Sequence, residues 1–222
     1  MTDRLPSPGL LLITGVSLLL FFSLPILGWG DLRGLMAEPS RAGAFVVVGV
    51  AAVLSLFSGI NLAGCVRADA RDRWLLAPFA GVALLIALVP AWDDRHDFAT
   101  IDGRSTRFLG LALMVVGAWL RVGPMFVLGR RFTWPLAGQE AHALLTAGFY
   151  RYIRHPSYLG GFVGGIGWVL VFRSGLGLIL VALLIPAIVW VIHVEEGLLA
   201  TEFGDEYERY RGRTWRLVPF VY

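Results

Sequence analysis

Six apolar runs, near 8 to 28, 43 to 66, 75 to 92, 108 to 128, 157 to 172 and 175 to 194, constrain this chain more than any motif does. Each approaches the length of about 20 residues that a helix needs to cross a hydrocarbon core, with some slack for tilt and thinning. Inside lipid no water is at hand for an exposed N–H or C=O, so such runs satisfy their backbones as helices. The expected fold is all-α, a polytopic membrane protein of about six transmembrane helices. With 57% hydrophobic and 16% charged residues over 222 positions, a soluble domain is excluded. The fifth and sixth runs are separated by Arg173 and Ser174 alone, which predicts a tight antiparallel hairpin. Trp29, Trp74, Trp92 and Trp134 fall close to the predicted ends, where an amphipathic indole is best accommodated. Residues 1–222 read as a single integral membrane domain, with N-terminal spans in 1–106 and a C-terminal core in 107–222.

The charges orient this bundle; they do not build a nucleic-acid surface. The formal charge is +3, but the basic residues lie between apolar spans and no soluble basic domain presents them, so no nucleic-acid partner is expected. All 19 basic residues are arginines, which excludes a Schiff-base lysine mechanism. Cys65 is the sole cysteine, so internal disulfides and thiolate zinc sites are excluded too. The first run is long, weakly charged in front and lacks a small-residue cleavage site before Trp29, and is read as a retained span. With the N-terminus inside, arginines on the cytoplasmic side outnumber those opposite, Arg41, Arg107 and Arg173 among them, by about two to one. Both termini are therefore expected in the cytoplasm, the expected location being a bacterial inner membrane.

Three polar features interrupt the apolar pattern. The largest runs from Gly148 to Gly165, where Gly-Phe-Tyr-Arg-Tyr-Ile-Arg-His-Pro-Ser-Tyr-Leu-Gly-Gly leads into the fifth span. Pro156 suits the first turn of a helix and pushes His155 towards an extended conformation, so the helix is predicted to begin there. Its first N–H groups, with Arg151, Arg154 and His155 before them, form an electropositive collar suited to a carboxylate or phosphate. The same arginines would equally serve as headgroup anchors. The glycines that follow, from Gly160 to Gly167, allow close approach of another helix or of a flat ligand. Arg121, about midway in the fourth span, is too costly to leave facing lipid and needs a polar cavity or an interhelical partner. Pro124, one turn later, predicts a bend. The third feature is Glu195-Glu196 at the end of the sixth span, read either as a site or as a solvated helix end. His193 and Glu196 at i, i+3 give an incomplete metal shell, and no metal is expected. Beyond them Leu199, Phe203, Tyr207 and Tyr210 share one face of a C-terminal amphipathic cytoplasmic helix that lies along the membrane surface or caps the bundle.

The run from Gly148 to Gly160, with Glu195-Glu196-x-x-Leu199 and Phe203-Gly204-x-x-Tyr207-x-x-Tyr210 and a final Pro219, resembles the isoprenylcysteine carboxyl methyltransferase family and the related phospholipid methyltransferases. The likeness covers roughly Arg121 to Pro219, which makes residues 107–222 a methyltransferase-like core. It implies a membrane methyltransferase that uses S-adenosylmethionine without a Rossmann domain. By resemblance the cofactor falls to Arg154, His155, Tyr158, Gly160 and Glu196, and also to Tyr150, Tyr207 and His142. Arg154, His155 and the helix N-terminus suit the methionine carboxylate, while Glu196, with Glu195, suits the ammonium or ribose hydroxyls.

Methyl transfer is an in-line displacement, so the protein chiefly aligns a nucleophile and excludes water. A carboxylate acceptor needs no base, and Arg121, with Arg130 or Arg131, would position it; Arg121 and Glu196 are thus the expected catalytic residues. An amine acceptor would need a base, for which His155, His193 or a glutamate are nearest. The expected acceptor is a lipophilic small molecule or lipid presented by the bilayer. A membrane reductase of the sterol reductase type using NADPH, and a non-catalytic carrier or assembly protein, remain the competing readings.

Overall fold

The computed structural model describes residues 8–58, 70–128 and 144–221, with side chains over 8–58, 80–127 and 144–221. The helices are α1 (Pro8–Trp29), α2 (Leu32–Met36), α3 (Pro39–Leu56), α4 (Ala70–His96), α5 (Arg104–Leu128), α6 (Pro156–Val171), α7 (Gly175–Ala182), α8 (Ile185–Phe203) and α9 (Asp205–Arg211), with a 3-10 turn at Gly148–Arg151. Among the described residues β-structure is confined to two isolated bridges, Thr100 with Ser174 and Ile153 with Trp215. α1, α3, α5 and the run Gly175–Phe203 are long and apolar enough to cross a membrane, and α6 is a shorter apolar helix.

These helices overlie the six expected spans, with differences in the second and the sixth. The sixth span is broken between α7 and α8, because Pro186 has no N–H to bond the Ala182 carbonyl, and the helix then continues past residue 194 to Phe203. α5 stays helical through Pro124 to Leu128. The second span ends sooner than expected, since α3 stops at Leu56 with Phe57 as its C-cap; residues 59–66, with Cys65, lie outside the described residues, as does Trp134. The α6–α7 hairpin forms as expected. Arg173 takes a positive φ of 54°, and Ser174 caps α7 by accepting from the Gly177 N–H at 2.7 Å.

Trp168 is the hub of the apolar core. Its ring packs against Phe21, Phe45 and Phe172 at centroid distances of 4.8, 5.7 and 5.0 Å, tying α1 and α3 to α6. Its indole N–H donates to the Ile86 carbonyl at 3.0 Å. That carbonyl is the one α4 cannot satisfy, since the residue four on is Pro90.

α5 and α6 approach backbone to backbone, and this is where the glycine face is used. A methyl group on Gly117 would lie 2.5 Å from the Gly164 nitrogen, and one on Gly160 would lie 2.5 Å from the Arg121 nitrogen. The approach of the α5 backbone accounts for the glycine at 160. Gly164 differs, since its added methyl would meet nothing nearer than 3.9 Å. Gly117→Ala and Gly160→Ala are expected to destabilise by about 1–3 kcal/mol each through overpacking against unyielding backbone. Gly164→Ala should melt with the wild type, and thermal unfolding of the three variants in one detergent checks the contrast.

At the end of the bundle away from the Gly148–Gly165 motif, one aspartate gathers three arginines. Asp94, with a side chain 0% exposed, is paired with Arg41 at 2.8 Å, Arg107 at 2.7 Å and Arg173 at 2.9 Å. Arg41 also donates to the Leu35 and Gly34 carbonyls and stacks 3.9 Å over the Trp29 ring. Arg107 donates to the Val171 carbonyl at 2.8 Å. α1 through α6 and the hairpin turn are thereby tied at one point.

Candidate functional site

The opposite end is assembled around the residues that precede α6. The chain leaves the 3-10 turn and runs alongside the segment after α9: the Trp215 N–H donates to the Tyr152 carbonyl at 2.9 Å, Arg154 N–H to Trp215 at 2.8 Å and His155 N–H to Arg216 at 3.0 Å. α6 then begins at Pro156 with Pro in its first turn, as the sequence predicts. His155 sits at φ −124° and ψ 56°, short of the extended conformation, and its side chain does not cap the helix. The imidazole is turned instead towards α8.

There Glu196, 6% exposed, accepts from every side. Its Oε1 takes the Arg154 Nε–H at 2.8 Å and lies 3.4 Å from His155 Nε2; its Oε2 takes Arg216 through Nε at 2.9 Å and Nη2 at 2.8 Å. Arg154 Nη1 continues to the Thr214 carbonyl and hydroxyl and to the Arg211 carbonyl, which fixes the end of α9. Glu196 is therefore not a solvated helix end. Arg154 and Glu196, 42 residues apart in the chain, are bonded to each other.

His155 lies between two carboxylates, its Nδ1 3.4 Å from Glu195 Oε2. Burial favours the neutral ring, but hydrogen bonding and charge from Glu195 and Glu196 outweigh it and lift the imidazole above its ordinary range. Tyr158 closes the row, its hydroxyl engaging Glu195 and its ring 5.8 Å from that of His155. Two polar atoms here are buried without a well-formed hydrogen bond among the described residues: Glu195 Oε2, which has the His155 ring at ion-pair distance, and the Tyr207 hydroxyl. Burial, with Glu196 close by, pushes the Tyr207 phenol up. Tyr210 donates to the Tyr150 carbonyl at 2.7 Å, and its own phenol is raised to about 12, chiefly by burial.

Gly204, at φ 50°, breaks the expected amphipathic helix into α8 and the short α9. Tyr207 and Tyr210 on α9 are buried, so this helix caps the bundle. Within α9 the Arg209 Nε–H donates to the Asp205 carbonyl at 3.1 Å.

Arg121 is beside the site, not in mid-membrane. Its Nη1 donates to the Ser157 carbonyl at 3.3 Å, and a methyl on Gly161 would lie 3.4 Å from it, which places the guanidinium level with the first turns of α6. The sequence position is misleading because α5 extends to Leu128, beyond the start of α6. No carboxylate pairs with Arg121 among the described residues, in contrast to Arg41, Arg107, Arg154, Arg173 and Arg216. His142, Arg130 and Arg131 lie outside the described residues. Sequence reasoning misses Arg216, Thr214 and Tyr210 as members of the site. A charge argument could have found Arg216, since two adjacent glutamates at the end of an apolar run call for more than one arginine.

Residues 105–206 match the phospholipid methyltransferase family. The chain is 34% identical over 118 residues to the protein-S-isoprenylcysteine O-methyltransferase of Schizosaccharomyces pombe, covering 50% of this chain and 48% of that one. To the enzyme of the same name from Dictyostelium discoideum it is 28% identical over 156 residues, 66% of this chain and 63% of the other. To the human protein-S-isoprenylcysteine O-methyltransferase it is 33% identical over 119 residues, 50% of this chain and 40% of the other. The chain thus spans about half the length of the curated relatives it matches. The solved structure of the eukaryotic intramembrane Ras methyltransferase ICMT, an isoprenylcysteine carboxyl methyltransferase, superposes with a TM-score of 0.61 at 21% identity, covering 94% of this chain and 76% of that one. At that identity the likeness is one of fold.

Proposed function

We propose that this chain belongs to the family of isoprenylcysteine carboxyl methyltransferases and phospholipid methyltransferases, which it resembles over its C-terminal half, and transfers a methyl group from S-adenosylmethionine to the carboxylate of a lipophilic acceptor. The observation that carries this reading is Arg121: a guanidinium beside the first turn of α6, bonded to a carbonyl and facing no carboxylate among the described residues. A planar fork of this kind suits a ligand carboxylate held by two parallel bonds.

The donor side fits the residues present. Glu195 Oε2 and the Tyr207 hydroxyl are buried acceptors without a well-formed hydrogen bond, as a ligand bearing an ammonium and a ribose diol requires. S-adenosylmethionine, when bound, supplies a methyl group on a cationic sulfur. Glu195, held between His155 and Tyr158, would take the ammonium or a hydroxyl, and Tyr150 and Tyr207 would wall the pocket. Arg154, Arg216 and His155 hold Glu196 and keep the end of α8 against the start of α6. Their part is positional. A carboxylate acceptor needs no proton removed, so no side chain has to serve as base; the protonated His155 favoured by its two glutamates would be a poor one. The same end of the bundle is read as cytoplasmic, from the arginine bias and from the cofactor's solubility.

Calorimetry of the purified protein with S-adenosylmethionine and with NADPH, followed by label transfer to lipophilic carboxylic acids and to amine lipids, tests the reading. The expected result is saturable binding of the first cofactor and base-labile methyl ester formation. Binding of NADPH alone would restore the reductase reading, and label on an amine would replace the acceptor class.

A further inference from the structure

The segment after α9 does more than carry Arg216 to Glu196. Tyr152, Trp215, Val218, Phe220 and Val221 are all exposed, Phe220 at 87% and Val221 at 78%. Trp215 and Phe220 stack with ring centroids 5.3 Å apart, and the Arg151 guanidinium lies 5.7 Å over the Tyr152 ring. Arg209, Arg211 and Arg213 are exposed nearby in the chain. Water is a poor solvent for such a patch, and a protein of this size rarely leaves one uncovered.

Its depth is set by what it is bonded to. The bridge between Ile153 and Trp215 holds the patch three residues before α6 begins, at the level where the apolar helices end. A methyl on Gly148, at the start of the same stretch, would lie 3.5 Å from Val127 near the end of α5, where Phe126 and Val127 are themselves exposed on an apolar helix long enough to cross a membrane. The patch therefore continues the lipid-facing surface at its rim. Aromatic rings mixed with arginines are the composition favoured in a headgroup layer, where the rings lie among the glycerol and upper acyl groups and the guanidiniums meet phosphates.

We infer that Tyr152 and the Trp215–Val221 segment form an interfacial anchor, seated in the headgroup layer of the leaflet on the site's side. Because Trp215 and Arg216 also bond Arg154 and His155 through the backbone, the anchor holds one wall of the site at the membrane surface.

Nitroxide labels test this on the full chain in vesicles of mixed zwitterionic and acidic phospholipids. In a Cys65→Ser background, single labels are placed through Phe220→Cys and Val221→Cys, with Glu206→Cys on the exposed side of α9 as control. Both test positions are exposed; Phe220→Cys gives up the stack on Trp215, whereas Val221→Cys leaves it in place and reads the segment intact. At 220 and 221, collisions with oxygen are expected to exceed those with an aqueous nickel chelate, and at 206 the order should reverse. Dominance of the nickel chelate at 220 and 221 would mean a solvated tail and overturn the inference. Exclusion of both reagents, or dipolar coupling between labels on two chains, would mean that protein covers the patch and would overturn it equally.

Discussion

Asp94→Asn is expected to lower stability by about 3–5 kcal/mol, the cost of leaving buried cations without their counter-charge. The substitution keeps size and shape but removes the one negative charge that Arg41, Arg107 and Arg173 share, at 2.8, 2.7 and 2.9 Å. Arg173 keeps a second partner in Asp97 at 3.0 Å, whereas Arg41 and Arg107 fall back on backbone carbonyls. Two or more guanidiniums would then repel one another at the junction of α3, α4, α5 and the α6–α7 turn. The adjacent Asp93 is the internal control. It too is buried, but its bond is to the Ser174 hydroxyl, and its Oδ1 has no partner among the described residues. Asp93→Asn keeps an acceptor for Ser174 and relieves a buried charge, so it should cost far less. Thermal unfolding of both variants in one detergent decides the matter, and equal melting points would show that the three arginines do not depend on Asp94.

The spans are legible in the sequence because lipid leaves a helix no alternative, and about twenty apolar residues in a row state that directly. Their partners are not. Gly110, Gly117, Gly160 and Gly167 show small-residue spacing in one dimension, but which helix fills the gap depends on the α5–α6 pairing. Arg41, Arg107 and Arg173 lie far apart in the chain and count as three loop charges until packing brings them to Asp94. The same applies at the site. Arg154, His155, Tyr158 and Glu196 come together in the sequence only through the family resemblance, since about 40 residues separate the first three from the glutamate. That Arg154 and Glu196 bind each other, and that Arg216 grips the second carboxylate oxygen, follows from the tail after α9 folding back against residues 152–155, which no periodicity reports. The depth of Arg121 is misread from sequence for a related reason: helix ends, not helix centres, set the level of a residue in the membrane.

That level decides what Arg121 can do. Lying beside Ser157 and close to Tyr158, it stands at the same end of the bundle as Glu195, so charge and not depth separates the acceptor role from the donor role. A guanidinium answers a carboxylate and repels the ammonium and the sulfonium of the proposed donor, while Glu195 does the reverse. Arg121→Lys keeps the positive charge but loses the planar fork, so the acceptor carboxylate would be held by a point and not a line. Misplacement by about 1 Å at a reacting atom costs on the order of 100-fold in rate, and a drop of at least that size in methyl transfer is expected. Donor affinity should change little. Arg121→Leu should lose transfer altogether yet unfold no more readily than the wild type, since no carboxylate among the described residues is left behind and leucine is cheaper among apolar helices. This is the opposite of Asp94→Asn, where stability fails first. Measuring donor binding, methyl transfer and melting on the wild type, Arg121→Lys and Arg121→Leu separates the roles: full turnover in Arg121→Leu, or joint loss of donor binding and stability, would sink the assignment of Arg121 to the acceptor.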